Sequence, residues 1–144
     1  MANPFPFSAG AVLTAAQLNA QGEWEDYTPA STSWSGTYEV SRTARIADIV
    51  FWRVRFTLDA TPSGTLTITP PFTGASFVRG GSAGGGYAYD TSGDDSYAVS
   101  PYISGSNVQL IETQAQNQTA VTATSPFTWA SGDSFRFLMI YEQA

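Results

Sequence analysis

Three features of the sequence predict an all-β fold: an antiparallel, jelly-roll-like β-sandwich of about eight strands, the count usual for that architecture. An extended N-terminal arm with one short helix is expected to precede it. The first feature is strict alternation in the stretch after Asp48. Val50, Trp52, Val54, Phe56 and Leu58 fall on one face, and Phe51, Arg53, Arg55, Thr57 and Asp59 on the other, the two-residue period of a strand. The second is a closing segment, Ser134 to Tyr141, that carries Phe135, Phe137, Met139 and Tyr141 on one face. Its other face holds Arg136, Leu138 and Ile140, so it suits a central strand or one buried at a subunit interface. The third is composition. Charged residues make up 12% of the chain, against roughly 25% in typical soluble domains. Gly and Thr are abundant in their place, which favours strands and turns over helices.

Residues 1–27 read as an arm and 28–144 as the β-domain. Pro4 and Pro6 keep the first residues extended, and Phe5 and Phe7 on so short a segment need a hydrophobic partner. Thr14-Ala15-Ala16-Gln17 fits a capping box, so a short helix is expected with Leu13, Leu18 and Ala20 on its apolar strip and Gly22 at its end. Glu23, Glu25 and Asp26 are three close carboxylates. Neighbouring residues on an extended chain point to opposite sides, which argues against a metal site there. Residues 30–35 read as a loop, with Trp34 covering one end of the core.

In the first long strand Tyr38, Val40, Ala44 and Ile46 alternate with Thr37, Glu39, Ser41, Thr43 and Arg45. Ala47-Asp48 makes the turn into the second. Leu66 and Ile68 face inward on a short strand stopped by Pro70-Pro71, and residues 76–79 form another short strand. The run from Gly80 to Gly86 is rich in glycine. With no lysine or helix after it, it makes no phosphate cradle and reads as a flexible loop or contact surface. Asp90, Asp94 and Asp95 form the densest carboxylate cluster. Their spacing departs from a calcium loop, and a solvated turn is the expectation. Residues 107–113 form a strand with Val108, Leu110 and Glu112 on one face. Residues 114–118 are a polar turn, 119–124 alternate around Val121, and 131–133 turn into the last strand.

The 144 residues suit one β-domain with its arm, large enough to bury a core without metal or disulfide staples. There is no Cys and no His, so thiolate chemistry and the commonest general base and metal ligand are missing. The six basic residues are all arginine, and the net charge is −6. No basic field is available for phosphates, so neither nucleic acid nor an anionic membrane is expected as a partner. No apolar run reaches the ~20 residues of a membrane span. The segment MANPFPFSAGAV has no secretory signature, so synthesis in the cytoplasm is expected. Catalytic residues, metal and cofactors are all expected to be none.

Two patterns carry a resemblance. Pro4-Phe5 followed by Ser8-Ala9-Gly10-Ala11-Val12-Leu13-Thr14-Ala15-Ala16-Gln17-Leu18-Asn19 resembles the attachment arm that opens many small virion proteins of tailed bacteriophages. Trp24, Tyr27-Thr28-Pro29, Gly36-x-Tyr38, Arg45-Ile46-Ala47-Asp48-x-Val50-x-x-Arg53-Val54-Arg55, Pro70-Pro71 and Ser131-Gly132-Asp133-Ser134-x-Arg136-Phe137 are similar to the β-domains of phage fibres, appendages and capsid decoration proteins. The sequence departs from them at Ala47, where relatives commonly have Gly, and no shaft of repeats separates arm from domain. The resemblance implies a non-enzymatic structural protein on the virion surface: a homotrimeric capsid decoration (cement) protein. Its partners would be its own copies and the major capsid protein or another virion protein. Phe5, Phe7, Val12, Leu13 and Leu18 would attach it to the particle. The alternative is a short tail or head fibre or appendage that binds a host-surface receptor, such as a glycan. For that role Trp34, Tyr87, Tyr89, Tyr102 and Trp129, with Trp24, are candidate receptor or subunit contacts, since aromatic rings can stack on sugars, although a given aromatic more often fills a core or an interface.

Overall fold

The structure, a computed structural model, describes Thr14, Ala15 and residues 22–73, 82–113 and 119–144. The strands among them are β1 (Glu25–Asp26), β2 (Ser31–Thr32), β3 (Gly36–Ile46), β4 (Ile49–Leu58) and β5 (Thr67–Ile68). The rest are β6 (Ser82–Asp90), β7 (Asp95–Ser104), β8 (Asn107–Glu112), β9 (Thr119–Ala120) and β10 (Ser134–Glu142). All pairings are antiparallel. They join the strands into one sheet in the order β1-β3-β4-β10-β6-β7-β8-β5-β2, with β9 on β8. The sheet curls strongly on itself. Side chains of β4 and β10 therefore share a hydrophobic cluster with those of β5 and β8, far along the strand order.

The alternation read in β4 holds: Val50, Trp52, Val54, Phe56 and Leu58 are all buried. So does that of β10, which sits between β4 and β6 as a central strand and buries Phe135, Phe137, Met139 and Tyr141. The core is largely aromatic. Trp52 meets Phe137 edge-on at 5.2 Å, Trp34 meets Trp129 edge-on at 5.0 Å, and Phe56 stacks on Phe135 at 5.0 Å. These arrangements add to the roughly 1.5–3 kcal/mol each large side chain gains by burial. Three of the polar ends find partners, whereas the buried Trp34 Nε1 has none among the described residues. Trp52 Nε1 donates to Ser41 Oγ (3.3 Å), Trp129 Nε1 to the Ser125 carbonyl (3.1 Å) and the Tyr141 hydroxyl to the Phe72 carbonyl (3.0 Å).

Four expectations change. In β3 a bulge between Tyr38 and Val40 shifts the register. An extra residue shifts the faces of the strand after it, so Ser41 and Thr43 turn into the core while Val40 is only half-buried and Ile46 is exposed; Ala44 is nevertheless buried, as expected. The glycine run is no loop where it is described: residues 82–86 belong to β6 and pair with β10. A β-carbon on Gly84 or Gly86 would lie 2.1 or 1.9 Å from a β10 carbonyl oxygen, so only glycine lets the two backbones approach this closely. Residues 31–32 of the expected loop form β2 on β5. Finally, Val121 is buried as the alternation expects, but the strand itself ends at Ala120, beyond which Thr122 makes single bridges to Thr65 and Ser125.

Ala15 is helical, but the rest of the expected helix, residues 76–79 and the turn at 114–118 lie outside the described residues.

Candidate functional site: an arginine-lined groove on the outer face

Alternation that buries one face of β4 and β10 necessarily presents the other. On that outer face the pairing sets Arg42 of β3 opposite Arg53 of β4, and Arg55 of β4 opposite Arg136 of β10. Arg53 is followed across the sheet by Leu138 and Gly85, and Arg136 by Tyr87. Four of the chain's six arginines thus gather on one patch of a protein with net charge −6. Like charges directly opposite each other on a sheet destabilise it, and two such pairs stand side by side here. Sites where a fold breaks its own stability rules are where function is expected.

The charges are partly answered. Arg55 Nε pairs with Glu39 Oε2 at 2.7 Å, and Glu39 also accepts from Thr57 Oγ1. Arg42 Nε pairs with Asp26 Oδ1 at 3.0 Å and its Nη2 donates to the Trp24 carbonyl at 3.0 Å, fixing the β1 segment beside the groove. The Arg136 guanidinium carbon lies 3.8 Å from the Tyr87 ring centroid, a cation–π contact. Among the described residues neither Arg53 nor Arg136 has a carboxylate partner.

Between them runs a groove of about 530 Å³ lined by Trp24, Arg53, Arg55, Tyr87, Arg136 and Leu138, with Gly85 in its wall. A β-carbon on Gly85 would meet nothing within 4 Å, so this glycine leaves room that a side chain would fill. A second hollow of about 250 Å³ shares Arg55, Tyr87 and Arg136 and extends the groove to Tyr89 and Ser96. Trp24 and Leu138 are 39% and 43% exposed, giving the groove apolar surface between its cations.

The aromatic residues singled out in sequence separate. Trp34 and Trp129 lie in the core, 3% and 0% exposed, and offer no surface to a ligand. Tyr87 and Tyr89 reach the groove. The Tyr89 hydroxyl donates to Asp94 at 2.6 Å, and that bond to a carboxylate raises its pKa. Tyr102 stands apart on β7, donating to Gln109. Phe5, Phe7, Val12, Leu13 and Leu18 lie outside the described residues.

In the acidic turn Asp90 Oδ1 accepts from Ser92 Oγ and from the amides of Ser92 and Gly93, which lower its pKa. The cluster is an internally bonded turn, and no group of three acidic side chains among the described residues is placed to hold a metal ion.

Arg53 and Arg55 were legible as sharing a face. Arg136, Trp24 and Leu138 were not, because only the pairing of β4 with β10 and of β1 with β3 brings them together.

Fold and site together define an all-β protein with an open, basic and aromatic surface groove. Comparison of the chain with protein-family models, curated proteins and solved structures found no match.

Proposed function

We propose that this chain is a non-enzymatic structural protein of a tailed-phage virion: a homotrimeric capsid decoration protein held by its N-terminal arm. In this reading the curled sheet is a jelly-roll-like domain and the arm carries a short helix. The observation that carries the proposal is where the N-terminal segment joins the sheet. The Gly22 amide donates to the Arg45 carbonyl at 3.2 Å, and β1 then pairs along β3, an otherwise open edge. The arm therefore enters at the β3–β4 turn. Ile46 and Ile49 flank that turn, 46% and 40% exposed, so the same end of the molecule offers apolar surface beside the arm. The acidic turn at Asp90–Asp95 lies at the other end of β4, roughly 33 Å away for ten extended residues. An end with two exposed isoleucines beside the arm and an acidic far end suit a protein that stands on a shell. Three arms per trimer would multiply the avidity of each.

Deleting residues 1–19 tests this. The truncated protein is expected to keep the near-ultraviolet circular dichroism of its packed tryptophans and to fail to bind particles lacking the native protein. Decoration by the truncated chain at the native level would overturn the arm's role. The groove favours the second reading, a short appendage that binds a host-surface receptor.

A further inference from the structure

We propose that the outer-face groove is a binding site for an acidic oligosaccharide, its carboxylates held by Arg53 and Arg136 and its sugar rings resting on Trp24. The inference names the ligand class of the receptor reading. It rests on the groove itself, so a chain found away from virions would leave it standing.

Charge complementarity identifies the occupant. Two directly opposed arginine pairs are retained on a face where each costs stability. Glu39 and Asp26 answer Arg55 and Arg42, leaving Arg53 and Arg136 without a carboxylate among the described residues. A guanidinium binds a carboxylate through paired N–H donors, and Tyr87 already holds that of Arg136 at 3.8 Å. The exposed Trp24 supplies the apolar platform on which a sugar ring stacks. Two neighbouring hollows of about 530 and 250 Å³ share Arg55, Tyr87 and Arg136 and together reach across several strands, which suits a linear chain of sugars better than a single one. Nucleic acid would also bring anions, but the surrounding charge of −6 opposes a polyphosphate backbone.

The test is calorimetric titration of the full chain with hexagalacturonate, with maltohexaose as the uncharged control. Saturable binding of hexagalacturonate is expected, weakening as salt is raised, together with at least about tenfold weaker binding of maltohexaose. Arg53→Gln and Arg136→Gln should each weaken hexagalacturonate binding about tenfold or more, with the near-ultraviolet dichroism unchanged. The proposal is overturned if hexagalacturonate binds no better than maltohexaose, or if neither substitution changes its binding. It is also overturned if sedimentation shows the wild-type chain self-associating through contacts that Arg53→Gln removes, which would assign the face to a second copy.

Discussion

Asp133 is 2% exposed; its carboxylate accepts from the Thr91 amide at 2.9 Å and the Ala130 amide at 2.7 Å, while its backbone carbonyl accepts from the Leu58 amide at 2.9 Å. One side chain thereby ties the β6–β7 turn to the loop before β10. Asp133→Asn would place an amide nitrogen where an acceptor is needed, leaving a buried donor unpaired. The expected loss is about 2–3 kcal/mol of stability in a urea titration, and a loss under about 0.5 kcal/mol would contradict it. Tyr38 leads to a pH prediction. Burial pushes its hydroxyl up to about 12, and burial raises that of Tyr141 too, against about 10 in an unfolded chain. A raised folded-state value means the contribution is complete below pH 10 and is lost as pH climbs toward 12. The denaturation midpoint should fall across that window, and Tyr38→Phe should flatten the fall. An unchanged slope in that variant would show that Tyr38 ionises freely in the folded chain.

β6 is the element whose sequence misleads. Glycine is depleted in strands, so Gly84, Gly85 and Gly86 read as a loop, yet the curled sheet needs them beside β10. Gly86→Ala would drive a methyl group to 1.9 Å from the Arg136 carbonyl oxygen. The expected cost is about 3 kcal/mol or more, seen as a lower melting temperature with Arg136 displaced from Tyr87. Near-wild-type stability would mean β6 can move away from β10 cheaply. β4 and β10 were legible because each is long, alternating and buried on one face. β3 was legible as a strand and misread as a face after Tyr38, since alternation cannot register the single residue that the bulge inserts. The turn at Ala47 was also legible, but not its backbone, which holds φ at 51°, a conformation for which glycine is the default residue.

For the whole molecule, local pattern gave the all-β class and most strand positions, whereas long-range pairing decided the site. Arg55 and Arg136 are opposite each other in the sheet although β4 and β10 lie at opposite ends of the domain sequence, and no periodicity within either strand encodes that contact. The same pairing sets the axis from the arm's entry beside Ile46 and Ile49 to the acidic turn at Asp90. The groove lies on the flank between these ends, so a shell-bound copy could keep it open to ligand. The proposed attachment and ligand binding should therefore be separable by mutation: deleting residues 1–19 should spare the groove, whose Trp24 lies beyond the deletion, and Arg53→Gln should spare attachment.

The central proposal, a structural place on a phage particle, is tested most directly by counting copies of this chain in purified particles. Quantitative mass spectrometry against the major capsid protein is expected to give one copy per capsid subunit or a simple fraction of that. Purified particles without the chain would contradict a virion role, and a handful of copies per particle would contradict decoration of the shell in favour of a tail appendage.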